Sequence, residues 1–117
     1  MNDESELMHQ LDVQLSHVWM VRTFLKHSDE AEEDEELALV HRRLYDFSLA
    51  LGSHLNAEDA EGYLRQANKK WRRLREACEL FTEIQPEISN HTNFKMAAMS
   101  LRKAVSEIGR LLGKDEG

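Results

Sequence analysis

A chain of 117 residues with 41% hydrophobic and 32% charged side chains and a net charge of −7 can bury one core but not two. Its longest apolar runs are of the order of Val18–Val21, far below the roughly 20 residues a membrane span requires. The single cysteine, Cys78, excludes an intramolecular disulfide and fits a reducing compartment. The acidic start MNDESE carries neither the basic nor the apolar part of a secretory signal, so a cytoplasmic protein is expected.

The apolar spacing is helical from end to end. In the first segment Leu7, Leu11, Val18, Val21 and Leu25 recur in steps of three and four once Gln14 takes one seam position. Leu37, Val40, Leu44, Phe47 and Leu51 do the same in the second. In the third, Tyr63, Ala67, Trp71, Leu74, Cys78 and Phe81 share one face. The fourth is the most regular, with Phe94, Ala97, Leu101, Ala104, Ile108 and Leu111. Such seams favour near-parallel packing at shallow crossing angles. The breaks are read from Gly52 as a left-handed helix end, Asn56 as a cap, Pro86 as a stop, and Ser89 or Asn90 as the next cap. These place helices at roughly 5–27, 30–52, 57–84 and 90–112, each about 33–42 Å long at 1.5 Å per residue.

Between the first two segments stands SDEAEEDEELALVHRR (Ser28–Arg43), with seven acids in the eight positions from Asp29 to Glu36. With Ser28 or Asp29 as the cap, these acids fill the opening turns of the second helix, where carboxylates meet the positive end of the macrodipole. Adjacent acids on one helix spread round its circumference and do not converge on a cation. The acids belong to a wider imbalance. Residues 1–61 sum to −11 and residues 62–117 to +4, which predicts either internal pairing or separate acidic and basic faces.

Two motifs resemble known helical enzymes. Glu32, Glu33 and Glu36, followed by Glu58 and Glu61, resemble the E-E-x-x-E and E-x-x-D pattern of the MazG-like all-α nucleoside triphosphate pyrophosphohydrolases, and Ala57–Leu74 is similar to their basic helix. That resemblance implies magnesium held by the five glutamates; the chain departs from it in ending the second motif with Glu61 instead of aspartate. Asn90–Met99 resembles a histidine phosphotransfer bundle, with Lys95 one position late and Met96 where glycine is expected. Of the six histidines, only His9 follows a glutamate (Glu6) at the spacing of helical di-metal sites. His17 and His41 are expected at similar heights on neighbouring helices, with no carboxylate to complete a site. No catalytic, cofactor-binding or metal-binding residue is assigned, and no cofactor is called for.

The basic stretch RQANKKWRRLR (Arg65–Arg75) places Arg65, Lys69, Arg72 and Arg73 within about a 100° arc of the third helix, opposite Trp71. This is a candidate charged docking face, and a weak candidate for nucleic acid. The first helix has more apolar surface than one seam needs. Val13, His17, Met20 and Phe24 form a second stripe about 120° round from the first, Leu15 and Trp19 widen the seam, and Tyr45 and Leu49 flank that of the second helix. Surplus apolar surface commonly marks a protein interface.

The expectation is therefore an all-α, antiparallel, up-down four-helix bundle formed by residues 1–117 as one domain, with residues 1–4 and 113–117 frayed. It is a non-catalytic interaction module that pairs with itself as a homodimer or with another protein, with no membrane partner. Its candidate interface is Val13, His17, Met20 and Phe24. The alternatives are the magnesium-dependent pyrophosphohydrolase and weak nucleic-acid binding through the basic face.

Overall fold

The computed structural model describes residues 3–114, and the helix begins at once. Helix α1 runs Asp3–Lys26, with Asp3, Glu4 and Glu6 in its first turn and Lys26 in its last, the charge order that complements the macrodipole. Of the termini expected to fray, residues 1–2 and 115–117 lie outside the described residues. At the other end Leu112 follows the last helix as its cap, and the Lys114 N–H donates to the Gly109 carbonyl at 2.7 Å. Gly113 takes φ +74° there, the left-handed turn that glycine adopts without strain.

The second predicted helix is two helices. α2 spans Asp29–Glu33 and α3 spans Glu35–Asn56. Asp34 sits between them in an extended conformation, and its Oδ1 accepts from the Leu37 N–H at 2.9 Å. An aspartate offers the backbone a side-chain acceptor that competes with helix continuation, and here it starts a fresh helix. Ser28 caps α2, accepting from the Ala31 N–H at 3.2 Å. α2 has no buried residue, so its acids face solvent around a partly packed Ala31.

Three further boundaries depart from expectation. Gly52 lies inside α3, which continues to Asn56. α4 spans Ala60–Ile88 and is capped by Asp59, not Asn56; the Asp59 Oδ1 accepts from the Gly62 N–H at 3.0 Å. Pro86 lies within α4. Its ring is on the exposed side of the last turn, and the helix closes beyond it through the Ser89 N–H to the Gln85 carbonyl at 3.0 Å. The buried Gln85 amide also donates to the Ser89 carbonyl at 2.8 Å. α5 spans Thr92–Leu111, with His91 as its cap in place of Ser89 or Asn90.

The described residues are all-helical, and four long helices share one core. α3 packs on α4, α4 on α5, α5 on α1 and α1 on α3, while α1 and α4 meet more lightly across the interior. Every seam position read from the spacing of the second and third segments is buried, from Leu37, Val40, Leu44, Phe47 and Leu51 to Tyr63, Ala67, Trp71, Leu74, Cys78 and Phe81. In α1 the seam is Met8, Leu11, Leu15, Val18, Val21 and Leu25, with Leu7 half-buried at its edge. Tyr63 is fully buried and its hydroxyl donates to the Asp12 Oδ1 at 3.0 Å, tying α4 to α1. Burial, reinforced by the Asp12 charge, pushes the phenol above its ordinary value. No helix among the described residues is long and apolar enough to cross a membrane.

Candidate functional site

The largest concentration of exposed apolar side chains follows the seam between α1 and α3. Val13, Met20 and Leu49 are 59%, 62% and 61% exposed, values at which these side chains lose most of the roughly 1.5–3 kcal/mol that burial would provide. With Trp19 and Tyr45, also exposed, they stand on or beside a groove of about 420 Å³ whose walls come from α1 and α3. Leu15 and Ser48 make its floor, and Gly52 leaves its lower end open. The Ser48 hydroxyl is turned inward, donating to the Leu44 carbonyl at 3.0 Å. The one ionisable lining group besides the Tyr45 phenol is Asp12, which accepts from Tyr63. A groove so lined can hold an apolar side chain.

Against the Trp19 and Tyr45 rings of its upper wall packs an arginine that does not stand out in the charge pattern of α1. Arg22 is only 7% exposed. Its guanidinium lies 3.9 Å from the Trp19 ring centroid and 5.5 Å from that of Tyr45, and the two rings are 6.2 Å apart. One amino group donates to the Thr23 hydroxyl at 3.1 Å, which in turn donates to the Trp19 carbonyl at 2.9 Å. Stacking a guanidinium on aromatic faces contributes about 0.5–2 kcal/mol when desolvated and fixes both rings. Its signal in the sequence is Trp19-x-x-Arg22, one helical turn apart. His41 lies beside this cluster. Burial first, then the charges of Arg22, Lys26 and Arg42, hold its imidazole below its ordinary pKa. That neighbourhood belongs to the C-terminal end of α1, so His41 is not level with His17 as expected.

The four residues expected to form the interface divide in two. Val13, His17 and Met20 are exposed on α1. Phe24 is half-buried and meets Phe94 of α5 edge to face, with centroids 4.9 Å apart at 70°. It is a joint between α1 and α5, and the aromatic anchors beside Met20 are Trp19 and Tyr45. Arg65, Lys69, Arg72 and Arg73 are all exposed on α4. Arg65 pairs with Glu61 at 3.8 Å and Arg72 with Glu76 at 3.7 Å. Trp71 is buried against Gly109, so this face has no aromatic platform of the kind that single-stranded nucleic acid stacks upon.

The glutamates of the pyrophosphohydrolase resemblance do not assemble. Glu32 and Glu33 lie on α2 and Glu36 at the start of α3, whereas Glu58 lies in the turn after its far end and Glu61 in the first turn of α4. The 22 residues of α3 separate the two groups by about 33 Å at 1.5 Å per residue, so no single magnesium site can use both. Glu58 stands in that turn at φ 54°. Among the described residues no three His, Cys, Asp or Glu side chains form a metal-binding group. His91 caps α5, its Nδ1 accepting from the Asn93 N–H at 3.0 Å. His54 Nδ1 lies 3.1 Å from the Asp59 Oδ2. Cys78 is buried and its thiol is pushed up to about 11 by that burial, which leaves little thiolate at neutral pH.

Comparison with known proteins finds no match: no family model, no curated protein and no solved structure is similar enough to the chain to carry an inference.

Proposed function

We propose that the chain is a non-catalytic, cytoplasmic helical module that pairs with a second copy of itself through the α1–α3 face. The four long helices are read as an antiparallel up-down bundle. Two contacts support that arrangement: the end of α1 meets the start of α5 at Phe24 and Phe94, and Trp71 of α4 reaches Gly109 near the end of α5. One observation carries the functional reading. Met20 and Leu49 stand more than half exposed on two adjacent helices, on either side of a groove floored by Leu15 and Ser48. A two-fold pairing places the same patch on both sides, so a projecting Leu49 or Met20 of one copy can enter the groove of the other. Trp19 and Tyr45, already ordered by Arg22, need little further immobilisation, which lowers the cost of association. Met and aromatic residues at the centre with few charges is the composition of interface cores.

The test is solution mass by light scattering at low and high salt. A dimer at both is expected, because the patch is apolar and salt does not screen it. Leu49→Asp, an exposed position, is expected to give monomer with unchanged helicity. A wild-type monomer at roughly 100 µM, the weak end of non-covalent pairing, or a dimer untouched by both Leu49→Asp and Met20→Asp, refutes the reading.

A further inference from the structure

The charge imbalance of the sequence has a structural counterpart on the opposite side of the molecule. The carboxylate–arginine pairs among the described residues are Glu61–Arg65, Arg72–Glu76, Arg75–Glu79 and Glu107–Arg110, each within one helix. Among those residues no pair joins the acids of Asp29–Glu36 to the basic second half. Part of the positive charge of α4 and α5, Arg75, Arg102, Arg110 and Lys114, lines a groove of about 800 Å³ between these two helices.

That groove has an apolar floor and a cationic rim. Trp71 and Cys78 of α4 and Val105 and Gly109 of α5 form the floor. Arg75, Arg102, Arg110 and Lys114 stand round it, against the single carboxylate of Glu79. Glu79 reaches Arg75 at 3.7 Å, too far for a hydrogen bond, and the Arg75 Nε is buried without a hydrogen-bond partner. Arg102 has no ion-pair partner among the described residues. Glu107, held below the ordinary carboxylate range chiefly by the Arg110 guanidinium, is the partner of that arginine. From Arg102 to Leu111 the α5 wall rises about 14 Å at 1.5 Å per residue, two and a half turns of a guest helix. Ser106 and Gly109 keep that wall low, so a guest can approach closely.

We propose that the α4–α5 groove docks an acidic amphipathic helix of a partner protein: an apolar stripe seated on Trp71, Cys78 and Val105, flanked by Asp or Glu facing Arg75, Arg102 and Lys114. Helix-in-groove recognition requires these two features together, apolar anchors at helical spacing and matched charge along the edges. A nucleic acid would find the cations, but Trp71 contributes to the floor without an open ring face on which a base could stack.

The experiment titrates the whole chain against two labelled 18-residue synthetic helices that share a leucine stripe. One carries glutamates beside the stripe and the other lysines. Fluorescence anisotropy gives affinity, and amide chemical shifts give the site. The acidic helix is expected to bind in the micromolar range and the basic one at least about tenfold more weakly, with shifts confined to α4 and α5. Arg102→Glu, at an exposed position, is expected to lower the affinity for the acidic helix by about tenfold and narrow the gap between the two. Ser106→Trp is expected to block both by filling the groove. Equal binding of the two helices, no binding at millimolar concentration, or shifts on α1 and α3 overturns the proposal. So does a single-stranded oligonucleotide that binds more tightly and displaces the acidic helix. The result is independent of the dimer test, which reads the other face.

Discussion

Gly109 offers a sharp test of the packing between α4 and α5. A Cβ built there would stand 2.7 Å and 2.9 Å from Cη2 and Cζ2 of Trp71, where ordinary contact begins at 3.4 Å. In Gly109→Ala the indole would have to retreat by about 0.7 Å. Trp71 is only 6% exposed and cannot swing into solvent without giving up its core contacts. Overpacking of this kind costs about 1–3 kcal/mol, while alanine in a helix interior gains about 1 kcal/mol over glycine, so the net destabilisation is roughly 1 kcal/mol. Gly52 is the internal control, since a Cβ added there would meet nothing within 4 Å. Gly52→Ala should therefore stabilise by about 0.4–1 kcal/mol. The two substitutions, chemically identical, should differ by about 1.5–2 kcal/mol, or roughly 6–8 °C in Tm for a domain of this size. Urea unfolding followed by circular dichroism and by tryptophan emission measures the gap. Equal stabilisation by both would refute the close approach of Trp71 to α5.

Two further predictions read single contacts. Tyr63→Phe removes the hydroxyl that reaches Asp12 across the interior, leaving a half-buried carboxylate without its donor; a loss of about 1–2 kcal/mol in urea unfolding is expected, and an unchanged midpoint would mean the bond contributes nothing. Asp59 is held below its ordinary pKa, first by the Gly62 N–H and then by His54. Since the folded-state value is the lower one, its contribution is fully present above the unfolded value near 3.9 and fades as pH falls through the folded value. Thermal melts of wild type and Asp59→Asn should differ by a constant amount at pH 5–7 and converge below about pH 4; a gap that widens on acidification contradicts the assignment.

The core was legible because helical burial leaves a periodic trace: all five seam positions of the second segment and all six of the third are buried. Boundaries were less legible because one residue type has two local meanings. Pro86 can end a helix or sit on the exposed side of its last turn, and only Ile88 packing on the core beyond it favours the second. Asp34 can occupy a first turn or cap a new helix, and the backbone around an all-acid stretch has no apolar periodicity to decide. The second apolar stripe was visible in outline, but its composition depended on register between distant segments. Phe24 looked equivalent to Val13 and Met20 until Phe94, 70 positions later, came to rest on it. Conversely, the place of Arg22 depends on Tyr45, which comes from α3 to complete its stack with Trp19.

The two grooves differ in kind, and the difference follows from the uneven distribution of charge along the chain. Because the carboxylate–arginine pairs of the described residues lie within helices, pairing between helices does not neutralise the basic second half, and the α4–α5 groove keeps its cations for whatever docks there. Around the α1–α3 groove the one charged lining group is Asp12, which accepts from Tyr63, so pairing there depends mainly on apolar burial and little on ionic strength. Raising salt should therefore separate the two surfaces: screening shortens the reach of the Arg75–Arg102 rim to about 3 Å at 1 M and weakens acidic-helix binding. Burial of Met20 and Leu49 against a second copy should be undiminished. A chain whose self-association and acidic-helix binding fall together with salt would mean that one surface serves both, and that the charged groove, not the apolar one, is the site of pairing.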